Sequence, residues 1–164
     1  LYLFEDKGIL IEEAVMGVML FNGTMCIGRL LGNRLGKHLT SKQVVVGGYL
    51  LGSIAMGLIV FLPGHASMYT YLLLGISLAM IVPNLFSAMG EQNVIPMTQA
   101  VATSTMLGYM GILMGPALIG FIAHGTSLTV AFIVLTTLLV VSAGIGKYAY
   151  HLMSKDCGLS EEQI

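Results

Sequence analysis

Residues 28–62 read GRLLGNRLGKHLTSKQVVVGGYLLGSIAMGLIVFL, a basic polar stretch followed directly by an uncharged apolar one. As a helix, the apolar part from Val44 to Leu62 matches the roughly 20 residues needed to cross a bilayer core of about 30 Å. The polar part carries four cations: Arg29, Arg34, Lys37 and Lys42. Cations beside an uncharged apolar helix are typical of the cytoplasmic loops of membrane proteins. This junction therefore predicts an all-α membrane protein.

The same pattern of apolar segments and polar breaks extends along the chain. Five segments are long enough to span, at approximately residues 10–31, 43–62, 67–88, 98–123 and 127–149. Backbone groups left in lipid would lack partners, so the breaks fall in polar or flexible stretches: 33–42, 63–67, 90–93 and 124–127. We predict a transmembrane domain over residues 1–149 with five membrane-spanning helices. Residues 150–164 are more polar and are predicted to form a cytoplasmic tail.

The basic residues are divided unevenly between the two sides of this topology. Only Lys7 falls beside an outer gap, whereas six Lys and Arg residues fall on the other side: Arg29, Arg34, Lys37, Lys42, Lys147 and Lys155. Loops with an excess of Lys and Arg are cytoplasmic. The asymmetry predicts a multi-pass protein of the cell (inner) membrane with a cytoplasmic C-terminus.

Composition agrees with a lipid environment and argues against other classes. Hydrophobic residues make up 56% and charged residues 9%, against about 25% charged in soluble domains, and mean hydropathy is +0.89. The net charge of −1 gives no basic face for nucleic acid. We expect no metal, because His65 and His124 lack metal-ligand spacing, and we expect no cofactor. Cys26 and Cys157 are expected to remain thiols.

The start of the chain suggests a fragment. Leu1 stands at the first position instead of Met, and the apolar run Leu1–Phe4 is too short to span before Glu5, Asp6 and Lys7 follow. We therefore expect the run to be the outer end of a helix whose remainder lies upstream.

Polar side chains near mid-membrane are the candidates for contact with a solute, because they can replace its hydration. Counting from the loops selects Asn22, Thr24, Ser77, Thr105 and Tyr109, with Asn84 nearer the inner end. Their neutral groups suit a neutral, hydroxyl-rich solute.

Each candidate also has a purely structural interpretation. Ser77 and Thr105 could bond the carbonyl one turn back in their own helix, and Tyr109 could be a packing ring. Asn22 needs a partner on another helix or a solute, because its carboxamide cannot satisfy every donor locally. Arg29, about a turn inside the inner boundary, either extends to the interface or forms an ion pair. No Asp or Glu lies at mid-span, so a titratable proton carrier is not expected in these helices.

Glycine is abundant, with 21 residues, and small residues let membrane helices approach closely. In the fourth span a helical stripe predicts a packing surface: Gly108, Gly111, Gly115, Pro116 and Gly120. The second and fifth spans are more uniformly apolar, and we expect them to face lipid.

The stretch from Gly28 to Lys37 resembles the loop between the second and third helices in each half of a major facilitator superfamily (MFS) transporter. The resemblance implies a role in gating for six residues: Gly28, Arg29, Gly32, Asn33, Arg34 and Lys37. Asn33 stands where the family motif usually carries Asp, which weakens the charge relay that the motif implies.

Two further stretches extend the resemblance. Residues 75–87 resemble the tenth helix of such a transporter, and residues 108–120, with GY-x-G-x-x-x-GP-x-x-x-G, its eleventh helix in a fucose-permease-like bacterial branch. The five spans would then be helices eight to twelve, the C-terminal half of the bundle, with the N-terminal half of the same polypeptide as partner. Helices two to six are the alternative, because the two halves are repeats.

The resemblance implies transport of a small polar solute, such as a sugar or related metabolite, by alternating access. Two other classes compete with this interpretation. An intramembrane enzyme would need His, Asp, Glu or Cys clustered near one interface, and the sequence offers no such cluster, so enzymatic activity is not expected. A structural or receptor-like membrane subunit would fit the spans equally well.

Overall fold

The computed structural model describes residues 11–35, 39–62, 65–91 and 95–157, and these form helices joined by short turns. The helices are α1 (Ile11–Leu35), α2 (Ser41–Phe61), α3 (His65–Ala79), α4 (Ile81–Glu91), α5 (Met97–Gly125) and α6 (Leu128–Cys157). Within the described ranges no strand occurs. The prediction of an all-α protein is confirmed.

Four stretches are long and apolar enough to cross a membrane: Ser41–Phe61, Tyr69–Gly90, Met97–Gly125 and Leu128–Leu152. A shorter apolar stretch, Val15–Leu30, lies within the 25-residue helix α1. At 1.5 Å per residue α1 is about 37 Å long. These helices overlap the five predicted spans. The last differs in extent, because α6 continues to Cys157 with no Gly or Pro after Gly146 to interrupt it, so the predicted tail begins as helix.

Helix α2 lies at the centre of the packed helices, between α3 and α6. Its buried residues recur along the whole helix: Val45, Gly48, Gly52, Ser53, Ala55, Met56 and Ile59. The expectation that the second span faces lipid stays a prediction for its exposed side, which carries Leu50, Ile54 and Phe61. Its other side is buried between α3 and α6. The reason lies in small residues spaced four apart, since a Cβ on Gly48 would lie 2.7 Å from the backbone oxygen of Ser77. Glycine lets α3 approach that closely.

Helix α3 is held just as closely from its other side by α1. A Cβ on Gly75 would overlap Thr24 Oγ1 and lie 2.5 Å from the carbonyl oxygen of Phe21. Further along, a Cβ on Gly28 would lie 2.7 Å from the Cβ of Ala79. Close backbone approach at glycine is how membrane helices gain packing energy without hydrophobic contrast. Helix α3 is thus fixed between α1 and α2.

The third predicted span is broken near its middle, where α3 ends at Ala79 and α4 begins at Ile81. Pro83 has no backbone N–H, so it cannot donate to the carbonyl of Ala79. Asn84 supports the turn, because both its backbone N and its Nδ2 donate to the oxygen of Met80, at 3.3 and 2.8 Å. Past this turn α4 packs in its own right, with Ile81 and Ala88 buried in a cluster shared with α2 and α6.

Helix α5 is the least enclosed part of the described chain. Of its 29 residues, Ala100 alone is buried among those described. The helix contacts α4 and α6, and its remaining apolar side chains are largely exposed. Pro116 lies inside α5 without ending it.

Candidate functional site

A cavity of about 490 Å³ lies between α4 and α5. Its walls come from Val82, Leu85, Phe86 and Met89 on α4 and from Ser104, Thr105, Gly108, Tyr109 and Ile112 on α5. Pockets that bind small molecules typically have volumes of about 300–1,000 Å³ and mostly apolar walls with a few polar groups. The size and lining of this cavity match that description.

Helix periodicity explains why these residues share the cavity. On α5 the lining positions recur every three or four residues from Ser104 to Ile112, which places them along one face. The lining positions of α4, from Val82 to Met89, follow the same spacing. The opposite side of α4 buries Ile81 and Ala88, which leaves its lining residues facing the cavity.

The polar groups of the cavity all come from α5. Ser104 and Thr105 supply hydroxyl groups, and Tyr109 supplies a phenol on a side chain that is 63% exposed. These groups donate and accept hydrogen bonds without carrying charge at neutral pH. An apolar wall bearing three hydroxyl groups can hold a small neutral molecule that has both carbon surface and hydroxyls.

The structure brings together Thr105 and Tyr109, two of the six residues selected from sequence. Ser104 was missed, although the sequence held the signal: it adjoins Thr105 and precedes Gly108 by one helical turn. Gly108, which the sequence predicts to lie in a helix-packing surface, also lines the cavity.

The other four candidates bond to their own helices. Asn22 Nδ2 donates to the oxygen of Val18 at 2.8 Å, and Ser77 Oγ to the oxygen of Leu74 at 2.8 Å. Asn84 supports the turn at Met80. Thr24 Oγ1 donates to the carbonyl oxygens of Leu20 and Phe21, at 2.8 and 3.1 Å. Solute contact by these four residues stays a prediction. For Ser77, the bond to Leu74 is the one-turn-back bond of the structural interpretation.

The six residues of the gating motif are described only in part. Gly28 packs against Ala79, and Arg29 is exposed. Gly32, Asn33 and Arg34 lie in the last turns of α1, and Lys37 lies outside the described residues. Gating stays a prediction.

The glycine stripe of α5 meets no other helix in the described part of the chain. A Cβ on Gly108, Gly111, Gly115 or Gly120 would find no atom within 4 Å. Pro116 beside them is exposed. The predicted packing surface therefore stays a prediction that concerns a partner outside the described residues.

No group of three or more His, Cys, Asp or Glu side chains that could hold a metal ion occurs in the described ranges. Cys26 is an exposed free thiol on α1.

Sequence comparison finds relatives among proteins that are named as transporters or membrane proteins. The chain is 41% identical over 140 residues to an uncharacterised MFS-type transporter of Yersinia pestis, an alignment covering 84% of the chain and 36% of that protein. It is similar to a segment of an MFS-type transporter. It is also 28% identical over 148 residues to the membrane protein MosC of Rhizobium meliloti, covering 88% of the chain and 36% of MosC. An uncharacterised transporter of Sinorhizobium fredii is 25% identical over 137 residues, and the alignment covers 81% of the chain and 36% of that protein.

The chain thus spans about a third of the length of the relatives it matches. The MFS-type likeness stated from sequence is confirmed at this coarse level by the names of the relatives, whereas the fucose-permease-like branch stays a prediction. No protein-family model matches the chain. No solved structure matches it either.

Proposed function

We propose that this chain is part of an MFS transporter that moves a small polar solute across the membrane by alternating access. The observation that carries the proposal is the cavity between α4 and α5, an apolar wall with three hydroxyl groups. The similarity to MFS-type transporters supports a transport role. In this proposal α4 and α5 form one wall of the pathway, and the rest of the polypeptide supplies the other.

The charge distribution favours a neutral solute. The sequence has no Asp or Glu between Glu13 and Glu91, or between Glu91 and Asp156, so α2 to α5 bring no carboxylate to mid-membrane. A cationic solute would need a counter-ion in a medium of low dielectric constant. Hydroxyl-rich solutes, a class that includes sugars and related metabolites, need only hydrogen-bonding groups. The proposed solute is a member of this class.

The resemblance of residues 75–87 and 108–120 to the tenth and eleventh helices supports an assignment to the C-terminal half of the bundle. Helices α1 and α2 would be the eighth and ninth, α3 with α4 the tenth, α5 the eleventh and α6 the twelfth. The Lys and Arg asymmetry supports a cytoplasmic C-terminus. Helices two to six of the other half remain the alternative that the complete sequence decides.

The test is uptake by proteoliposomes containing the complete transporter, with a panel of radiolabelled neutral hexoses, pentoses and polyols. For a transported solute, Thr105→Val and Tyr109→Phe should each weaken apparent affinity about fivefold, because each removes one neutral hydrogen bond worth about 1 kcal/mol.

Thr137→Val is the matched control, since the Thr137 hydroxyl donates to the oxygen of Ile133 on α6, away from the cavity. Uptake affinity should survive that change. Unaltered affinity in all three variants at equal expression would remove this cavity from the pathway.

A further inference from the structure

A second cavity, separate from the proposed solute wall, lies between the start of α2 and the later part of α6. Its volume is about 480 Å³. It is lined by Thr40, Lys42, Gln43, Val46, Gly47 and Leu50 near the start of α2, and by Lys147 on α6. Two lysines from different helices therefore line one groove, and none of its described lining residues is acidic.

The packing of the two helices explains why the lysines share this groove. A Cβ on Gly146 would lie 3.8 Å from Val45 Cγ1 and 4.0 Å from Val46 Cγ2. The neighbouring residue, Lys147, is thereby placed beside the first turns of α2, where Lys42 precedes Val46 by one turn. Helices α2 and α6 are thus within contact range at Gly146, and the two lysines line the groove beside that contact.

The groove changes from polar to apolar along its length. Lys42, Val46 and Leu50 follow one another at intervals of four residues on α2, so the line from Lys42 to Leu50 descends about 12 Å into the span. Lys147 is the twentieth residue of α6, about 29 Å from its start, which is close to the thickness of a hydrocarbon core. The lysines thus lie at headgroup level, and Val46 and Leu50 lie at the level of the lipid chains.

We propose that this groove binds the phosphate-bearing headgroup of an anionic phospholipid, with Lys42 and Lys147 on the phosphate and the first acyl carbons along Val46 and Leu50. Charge complementarity selects an anion, and basic grooves between membrane helices bind anionic headgroups. The apolar floor selects an amphiphile over a free anion. This inference goes beyond the proposed transport function and does not rest on it.

The experiment uses the complete polypeptide purified in a neutral detergent and titrated with dioleoyl phosphatidylglycerol, with retained lipid counted by native mass spectrometry. Wild type should retain phosphatidylglycerol in preference to phosphatidylcholine. Lys42→Gln and Lys147→Gln should each weaken apparent affinity about fivefold, and the double variant roughly thirtyfold, from the usual contribution of a lysine near an anionic surface.

Two matched variants make the test specific. Lys155→Gln removes the same charge about 12 Å further along α6 and should leave lipid retention unchanged. The double arginine variant, Lys42→Arg with Lys147→Arg, keeps both charges and should retain the lipid, which separates loss of binding from loss of folding.

Three results would overturn the proposal. If Lys155→Gln weakened the affinity for phosphatidylglycerol as much as Lys42→Gln does, the lipid would be responding to the overall charge of the protein and not to a site. Equal retention of phosphatidylcholine would mean that the lysines do not select the headgroup. If inorganic phosphate at an equimolar concentration displaced phosphatidylglycerol from the wild type, and if the double glutamine variant no longer bound phosphate, then the occupant would be a free anion.

Discussion

Replacing Gly75 with alanine should separate α3 from α1 and destabilise the whole bundle. The new Cβ would overlap Thr24 Oγ1, lie 2.5 Å from the carbonyl oxygen of Phe21 and lie 3.2 Å from the backbone nitrogen of Met25. Ordinary contact between heavy atoms begins near 3.5 Å. The Phe21 oxygen is therefore about 1 Å too close, and as a backbone atom it cannot turn away.

The expected cost follows from that geometry. Overpacking a well-packed interior typically costs about 1–3 kcal/mol. The upper end applies at Gly75, because two of the three obstructing atoms belong to the backbone of α1. About 3 kcal/mol changes the folding equilibrium more than a hundredfold.

Thermal unfolding of the complete protein in detergent, followed by the fraction that remains monodisperse on size exclusion, measures this effect. Gly57→Ala on α2 is the control, because a Cβ there meets no atom within 4 Å. Adding Thr24→Ala to Gly75→Ala should recover only part of the loss, since the Phe21 oxygen remains. A Gly75→Ala protein that unfolds at the same temperature as wild type and Gly57→Ala would refute the reasoning.

Two further predictions concern topology and the unpartnered face of α5. In a cysteine-free background, single cysteines at Gly64 and Gly125 should react with an impermeant thiol reagent from outside the cell, and labelling at Thr40 from that side would reverse the orientation. Gly115→Leu should reduce the folded yield of the complete transporter, because glycine at helix contacts permits close approach, whereas Val134→Leu on α6 should not. Equal tolerance of the two substitutions would mean that no helix packs on the glycine stripe.

The sequence predicts the helices of this chain well because hydropathy and polar breaks are local signals. Pro83 indicated the break at Met80, but the residues on both sides are apolar, so the sequence predicted a single unbroken span. A proline can kink a membrane helix or remain inside an unbroken one, as Pro116 does in α5. Neighbouring contacts decide between these outcomes, and they are not visible in hydropathy.

The central position of α2 could not be predicted from hydropathy, for a different reason. An apolar helix suits lipid and protein interior alike, so hydrophobicity does not distinguish an outer helix from a central one in a membrane. The spacing of Gly48 and Gly52 carried the missing information, because it marks where α3 approaches. For the cavity, Thr105 and Tyr109 were found as polar residues at mid-span, whereas Ser104 depends on which face of α5 meets α4.

The turn at Met80 lets a single span make two different kinds of contact. Helix α3, before the turn, is held on both sides through Gly75 and Gly48. Helix α4, about 16 Å long, buries Ala88 in a cluster shared with α2 and α6 and places Phe86 along the cavity. The residues that shape the cavity on α4 are therefore separate from the glycine contacts that fix α3, so the lining can change in sequence without disturbing that interface.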